Sequence, residues 1–260
     1  MKISSFVESL ASRGHYAFTT EDAVAAVGVS AVAVRAAIRR LQEKGAVATP
    51  FRGFYVIVPP EYRALGCLPA DQFIPNLMGH LELDYYAGVL TAARLHGAAH
   101  QAPMVFQVVV ASNRPAIRCG SVRVKFIARR NVGEIPTLSM NTLRGVLRVS
   151  TPEATAYDLV GYPHHAGGLS NVATILAEMA ERLDPAVLVR EAAHSPLPWA
   201  QRLGYLLERG GFAELAQPLA THVAQRAAEY VPLRPRRTIA VKPRDARWLV
   251  VVNEAVEPDL

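Results

Sequence analysis

The sequence has little cysteine and no long apolar run. Its two cysteines, Cys67 and Cys119, are far apart in the chain and lack Cys-x-x-Cys spacing, which argues against a disulfide framework and predicts reduced thiols in a core. No run reaches the roughly eighteen apolar residues that a membrane span needs. Because Glu8 and Arg13 interrupt the N-terminus, we expect no secretory signal. These absences together predict a cytoplasmic protein without membrane contact.

The motifs of common enzyme classes are also missing. The chain has no P-loop, no Gly-x-Ser-x-Gly elbow and no cysteine and histidine spacing typical of a zinc site. A nuclease of the PD-(D/E)xK kind needs an acid two residues before its lysine to hold Mg²⁺. At that position the sequence has arginine before Lys125 and alanine before Lys242. A nucleotidyltransferase needs a Gly-Ser turn with paired carboxylates; of the pair Glu82 and Asp84, the latter is better explained as a helix cap. We therefore expect no catalytic residues and no cofactor.

Histidines are also poor candidates for metal ligands. His96 and His100 are four residues apart, but Gly97 between them predicts a helix end, and no glutamate follows His96 as in a His-Glu-x-x-His motif. The pair His164 and His165 comes before glycines and is typical of a loop. We expect no metal site.

The composition is that of a folded, basic chain. With 260 residues, 51% hydrophobic and 19% charged, the length suggests about two domains. The formal net charge is +6. Its distribution along the chain is more informative than its total.

Residues 1 to 45 predict three short helices. Thr19 can cap the second helix, with Asp22 in the capping-box position. Gly28 is placed to end that helix in a left-handed cap, and Ser30 can cap the third. Apolar residues recur at helical spacing in the third helix and predict one buried stripe, which consists of Val34, Ala37, Ile38 and Leu41.

The third helix is basic on another side, and two strands follow it. Val47 to Thr49, a turn at Pro50 to Gly53, and Phe54 to Val58 predict a hairpin. Three helices followed by a hairpin are the order of a winged helix-turn-helix, in which the third helix enters the major groove. The residues that we expect at DNA are Ser30, Ala31, Arg35, Arg39, Arg40, Lys44 and, on the wing, Arg52.

A basic helix face has less specific interpretations. Such faces are usually only solvated, and winged helices also serve as protein-docking modules. The tight glycine turn, the basic third helix and Arg52 at the hairpin tip together favour DNA.

The remainder predicts a larger mixed domain. Met104 to Ala111 and Val122 to Ala128 indicate strands. A helix is expected from Asp84 to Gly97. Further helix starts pair a capping residue with proline at Thr151-Pro152, Asp184-Pro185 and Ser195-Pro196. We expect an α+β protein with a winged helix at 1–58 and an α+β domain at 59–260, helix-rich from about residue 170.

A second basic zone lies outside the winged helix. Between Asn113 and Ser150 only one acid, Glu134, stands among eight basic residues. Arg123 and Lys125 alternate with apolar residues and so share one strand face. The second basic surface predicted from this zone comprises Arg114, Arg118, Arg123, Lys125, Arg129 and Arg130.

Three blocks of the sequence resemble a known family. They are RGFYVI at 52–57, YYAGVLTAARLHGAAHQAPMVFQVVV at 85–110 and VSTPEATAYDLV at 149–160. They are similar to the AbiEi antitoxins of type IV toxin-antitoxin systems, which act in abortive infection, a form of phage defence. The recognisable similarity covers about residues 15 to 160, and the final hundred residues match less specifically.

The resemblance implies a two-domain antitoxin and transcriptional repressor. Members of that family bind inverted repeats upstream of their own operon, repress it, and counteract a nucleotidyltransferase toxin encoded beside them. They do so without requiring a stable complex with the toxin. On this basis we expect double-stranded operator DNA as the direct partner.

Two other function classes stay open at this point. A ligand-responsive winged-helix transcription factor would carry a small-molecule pocket in its second domain. A nuclease carrying a winged helix is disfavoured by the missing carboxylates.

Overall fold

The structure is a computed structural model that describes residues 1–98, 104–235 and 243–257. The fold is α+β, as the sequence predicts, and it begins with a winged helix. The elements of the winged helix are α1 (Ile3–Ser12), β1 (Ala17–Thr19), α2 (Thr20–Val27), α3 (Ala31–Glu43), β2 (Val47–Phe51) and β3 (Phe54–Ile57).

The capping signals at α2 are confirmed. The Asp22 backbone N–H donates to the Thr19 hydroxyl at 3.1 Å, and the Thr19 N–H donates to the Asp22 carboxylate at 2.8 Å. This reciprocal pair satisfies donors that the first helical turn would otherwise leave unpaired. Helix α1, by contrast, begins at Ile3 without a side-chain cap, because the N-cap residue is Lys2 and a lysine side chain has no hydrogen-bond acceptor.

A small antiparallel sheet, in the order β1-β3-β2, completes the winged helix. Strand β1 is only three residues long, and it was not predicted from the sequence. The predicted four-residue turn is shorter in the structure, because Phe51 pairs with Phe54 and only Arg52 and Gly53 remain between the strands. Pro50 fits within β2 because the pairing register shifts between Ala48 and Phe51, and such irregularities tolerate a missing N–H.

Aromatic side chains join the helices to the sheet in the winged helix. The ring of Phe18 contacts Phe6 edge-on at 5.5 Å between centroids and stacks on Tyr55 at 5.3 Å. Val34 and Ile38 of α3 are buried in the same cluster. The predicted apolar stripe of α3 therefore faces this core.

The middle of the chain contributes a sheet of six strands among the described residues, in the order β6-β7-β5-β4-β9-β8. Strands β5 and β7 are parallel, and β6 pairs antiparallel with β7. The elements are α4 (Ala70–His80), β4 (Tyr85–Ala87), α5 (Val89–Leu95), β5 (Phe106–Val110), β6 (Ile117–Cys119), β7 (Val122–Ala128), β8 (Thr137–Thr142) and β9 (Gly145–Ser150).

The predicted helix from Asp84 is wrong over its first turn. Residues 85–87 form the buried strand β4, in which Ala87 pairs with Val149 of β9. Asp84 is exposed and forms an ion pair with Arg148 at 3.7 Å instead of capping a helix. The sheet pairing overrides the helical pattern, and α5 begins only after Gly88.

The last part is mainly helical, as predicted. Thr151 and Asp184 cap their helices through their side chains, whereas the helix expected to start at Ser195 begins at Leu197 with Pro196 at its N-cap. The elements are α6 (Pro152–Gly161), α7 (Leu169–Met179), α8 (Pro185–Glu191), α9 (Leu197–Arg209), α10 (Ala213–Arg226), β10 (Val231–Pro232), β11 (Arg244–Asp245) and β12 (Val250–Val251).

Contacts divide the chain into two compact units. One comprises Met1–Tyr86, Met104–Val132 and Ser139–Arg148, and the other comprises the described residues of Ala87–Pro103, Gly133–Leu138 and Val149–Leu260. The winged helix belongs to the first unit. The predicted domain boundary after Val58 stays a prediction.

Candidate nucleic-acid interface

Helix α3 is positioned by its first residues. Gly28 has φ 74°, in the left-handed region, and its N–H donates to the Val24 carbonyl, so α2 ends there. The Ser30 hydroxyl then accepts from the Ala33 N–H at 3.3 Å and caps α3. The short turn between these two caps fixes where α3 begins. Both caps confirm the sequence-based interpretation.

One face of α3 is buried and the rest is exposed. Val34 and Ile38 are each 1% exposed, which leaves the arginine-bearing faces in solvent. Of the residues that we expect at DNA, Ala31 is half-buried; Ser30, Arg35, Arg39, Arg40 and Lys44 on or beside the helix, and Arg52 on the wing, are exposed.

The cations of α3 are not used in folding. Among the residues that the structure describes, the side chains of Arg35, Arg39 and Arg40 take part in no hydrogen bond and no ion pair. An unpaired guanidinium keeps all its donors available to a phosphate or a base edge. Arg40 also lies in the last turn of the helix, where the helix dipole favours a positive charge.

The wing is attached to the helices at two points. Gln42 near the end of α3 donates to the Thr49 hydroxyl of β2 at 2.8 Å. The Thr20 N–H at the start of α2 donates to the Gly53 carbonyl at 3.0 Å. Gly53 itself has φ 79°, a conformation that favours glycine in a two-residue hairpin turn. The tip residue Arg52 is therefore exposed on a hairpin held against the helices.

Most of the predicted second basic surface lies on the β6–β7 hairpin and just after it. Arg118 of β6 is directly opposite Arg123 of β7. The side chains of Arg118, Arg123 and Lys125 are exposed, as is that of Arg130, while Arg114 is half-buried. The Arg123 guanidinium folds back onto the turn and donates to the Gly120 carbonyl at 2.6 Å.

The β6–β7 hairpin is next to the wing within the first unit. Strands β2 and β6 pack together, and the Thr49 backbone of β2 lies close enough to the Cys119 sulfur of β6 to help lower the pKa of that thiol. We define the basic hairpin surface as Arg118, Arg123, Lys125 and Arg130. It belongs to the same compact unit as the winged helix.

Arg129 does not belong to that surface, so its assignment there is wrong. It is only 5% exposed. Its guanidinium donates to Asn131 Oδ1 at 3.2 Å and to the Tyr86 hydroxyl at 3.5 Å, and its backbone N–H donates to the Val110 carbonyl. Alternation along β7 does not extend past Ala128, where the chain leaves the strand and Arg129 becomes an internal donor.

Arg144 has a packing role that sequence reasoning did not identify. Its guanidinium lies 3.4 Å above the centre of the Tyr16 ring. Its Nε donates to Gln72 Oε1 at 2.8 Å, and its Nη2 lies 3.4 Å from the Glu61 carboxylate. Arg144 thus joins the β8–β9 turn to the winged helix. No local pattern signals this, because all three partners are distant in sequence.

One of the histidines considered as a metal ligand, His96, has a packing role. His96 is buried, and its Nε2 lies 2.7 Å from the Ser150 carbonyl. Burial lowers the pKa of His96 and keeps the ring neutral. His100 lies outside the described residues. Within those ranges no group of three or more His, Cys, Asp or Glu side chains is placed to hold a metal ion.

Comparison with protein families gives two matches. The model described as "Transcriptional regulator, AbiEi antitoxin" matches residues 5–58, and the model described as "AbiEi antitoxin C-terminal domain" matches residues 86–209. The chain belongs to the AbiEi antitoxin family. The first match spans the winged helix from Ser5 onward, so α3 and its arginines lie in the regulator region of this antitoxin.

A solved structure has a similar fold. The chain matches the crystal structure of the RV2827C protein from Mycobacterium tuberculosis with a TM-score of 0.68 and 20% sequence identity. The match covers 95% of this chain and 90% of the other. The similarity therefore concerns the fold of almost the entire antitoxin. A search of curated proteins found no match.

These family matches support a DNA-binding antitoxin. In the described residues no helix has both the length and the apolar character needed to cross a membrane.

Proposed function

We propose that this AbiEi antitoxin binds inverted repeats upstream of its own operon, represses that operon, and counteracts a nucleotidyltransferase toxin encoded beside it. The observation that carries the proposal is the exposed face of α3, where Arg35, Arg39 and Arg40 have no partner among the described residues. In a helix-turn-helix this third helix is the one that enters the major groove.

The residues of α3 divide by their position along the helix. Ser30, Ala31 and Arg35 lie at or near its N-terminal end, from which side chains of a recognition helix reach base edges. Exposed Val32, at 69%, adds an apolar group that suits a thymine methyl. The later residues Arg39, Arg40 and Lys44, with Arg52 on the wing, contact phosphates and so position the protein without reading sequence.

The basic hairpin surface extends this interface. It is exposed, and it includes Arg118 on β6, the strand that packs against the wing strand β2. We infer that it contacts phosphates flanking the site read by α3. Each phosphate neutralised by such a residue releases counterions and strengthens the salt dependence of binding.

Toxin neutralisation takes place without a stable complex of the two proteins and without catalysis by the antitoxin. The support for this is the AbiEi membership of the chain. On this proposal the protein acts in the cytoplasm, where its operon and its toxin are.

The test combines footprinting with a growth assay. DNase I footprinting of the upstream region should show two protected inverted repeats, and co-expression with the adjacent toxin should restore growth. Arg190→Ala, at an exposed position of α8, is the matched control and should preserve both results. An absence of protection in the upstream region by the intact protein would overturn the repressor proposal. Growth arrest despite antitoxin expression would overturn the neutralisation proposal.

A further inference from the structure

The two cysteines of the chain lie together in space. Cys67 follows the short 3₁₀ helix Pro60–Leu65, and Cys119 ends β6. Although they are far apart in sequence, the two thiols lie close enough to shift each other's pKa in opposite directions. Both thiols are free and buried. The sequence-based expectation of reduced core thiols is met, but their pairing was not foreseen.

Two glycine turns bring the thiols together. The Ser121 N–H donates to the Leu65 carbonyl at 2.7 Å. A methyl group at Gly120 would lie 2.0 Å from that same carbonyl oxygen, and one at Gly66 would lie 3.2 Å from the Gly120 Cα. Only glycine at position 120 lets the two backbones approach this closely. The contact between the cysteines is therefore built into the backbone.

The two sulfurs have different electrostatic environments. Hydrogen bonds from the Cys67 thiol and from the Thr49 backbone N–H lower the pKa of Cys119 against the opposing effect of burial. The hydrogen bond to Cys119, together with burial, raises the pKa of Cys67. Cys119 is also the more exposed of the two cysteines, at 7% against 0% for Cys67, so it is the one placed to react first and Cys67 the one placed to react second.

The turns that surround the two buried thiols are exposed to solvent. Cys67 is 0% and Cys119 7% exposed, but Leu65, Gly66, Gly120 and Ser121 in the turns around them are all exposed. A molecule as small as hydrogen peroxide needs only a small displacement of these turns to reach Cys119.

We propose that Cys67 and Cys119 form an oxidisable dithiol that a peroxide converts to an intramolecular disulfide. The Cys119 thiolate attacks one peroxide oxygen, the O–O bond breaks, and hydroxide leaves to give a sulfenic acid. The Cys67 sulfur then attacks the Cys119 sulfur, and the sulfenic oxygen leaves as water. Two thiols and one hydrogen peroxide thus give one disulfide and two waters. The bond joins the segment that follows the wing to strand β6.

The test begins with the full-length wild-type protein. After treatment with hydrogen peroxide under native conditions, its mass should fall by about 2 Da, with Cys67 and Cys119 in one disulfide-linked peptide pair. Because the cross-link closes a loop of about fifty residues, the melting temperature should rise by about 5–10 °C and return after reduction. Two thiols that remain fully alkylatable in the unfolded protein would overturn the proposal, as would disulfides formed only between chains.

Single variants test the order of the two steps. In Cys67→Ser, dimedone should trap a sulfenic acid at Cys119, because no second thiol can react with it. In Cys119→Ser, Cys67 should stay largely unmodified at the same peroxide dose. If either variant does not fold, dimedone present during a short peroxide treatment of the wild type replaces it, because it traps the sulfenic acid before the disulfide forms. Labelling at Cys119 supports the proposed order, and labelling at Cys67 contradicts it.

Discussion

Helices α3 and α9 are both thirteen residues long but differ in how they use their polar side chains. In α3 only Val34 and Ile38 are buried. In α9 every residue from Ala200 to Leu207 is buried, including Gln201 and Arg202. Helix α3 therefore lies at a surface, whereas α9 lies in the core of the second compact unit.

The difference shows which charges are available to a partner. The Nε of Arg202 donates to the Pro232 carbonyl at 3.0 Å, and Gln201 donates to the Trp248 carbonyl at 3.2 Å. These polar groups stabilise the fold by satisfying backbone acceptors. The arginines of α3 satisfy none in the part of the chain that the structure describes, so a change in α3 should affect binding and a change in α9 should affect stability.

The largest effect on stability is expected from Gly204→Ala in α9. A methyl group there would lie 1.9 Å from the buried Trp248 ring, and overpacking of this severity costs about 3 kcal/mol. Thermal unfolding should show a clear loss of stability. The matched control is Gly79→Ala in α4, where a methyl group would meet nothing within 4 Å, and there we expect no loss. Equal melting temperatures for wild type and Gly204→Ala would contradict the packing of α9.

A smaller loss is expected from Arg202→Ala. Removing the guanidinium leaves the Pro232 carbonyl without this donor in a partly buried site, at a cost of about 2 kcal/mol. Denaturant unfolding measures it. Arg209→Ala, at an exposed position of the same helix, should stay within about 0.5 kcal/mol of wild type. Similar losses of stability in both variants would contradict the conclusion that only the buried arginine stabilises the fold.

On α3 the expected effect is on binding. Arg35→Ala should reduce the preference for operator over random DNA by about tenfold, because a good base contact is worth about 1–3 kcal/mol of discrimination. Arg52→Ala should weaken binding to operator and to random DNA by the same factor. Fluorescence anisotropy with the two DNAs measures this, and equal losses on operator and random DNA in Arg35→Ala would overturn the base-reading role.

The smallest effect is expected from the basic hairpin surface. Replacing Arg118, Arg123, Lys125 and Arg130 by alanine should reduce the salt slope of operator binding by about one unit or more, since each phosphate contact contributes about 0.9. The melting temperature should change little, because exposed charges contribute little to stability. An unchanged slope with lost protection against the toxin would assign this surface to neutralisation instead.

Local signals predicted the winged helix well. The caps at Thr19, Gly28 and Ser30 and the apolar stripe of α3 depend on neighbours within one or two turns, which a sequence pattern can show. The candidate residues on α3 followed from that stripe, because the remaining faces had to be exposed.

Long-range contacts were the part that no pattern could predict. The strand at 85–87 forms because Ala87 pairs with Val149. Arg129 is buried because Tyr86 and Asn131 accept its hydrogen bonds. The contact between Cys67 and Cys119 depends on Gly120, which is distant in sequence from Leu65 and Gly66. In each case the partner is supplied by the tertiary fold.

The most direct test of DNA binding through α3 is a salt titration of operator affinity for the variant with Arg35, Arg39 and Arg40 all changed to alanine. We predict a loss of at least about 100-fold in affinity and a salt slope lower by about two units, with a melting temperature within about 2 °C of wild type. The matched control changes Arg190, Arg209 and Arg226, exposed on α8, α9 and α10, and should bind like wild type. A folded α3 variant with wild-type affinity and slope would contradict the assignment of α3 as the DNA-binding helix.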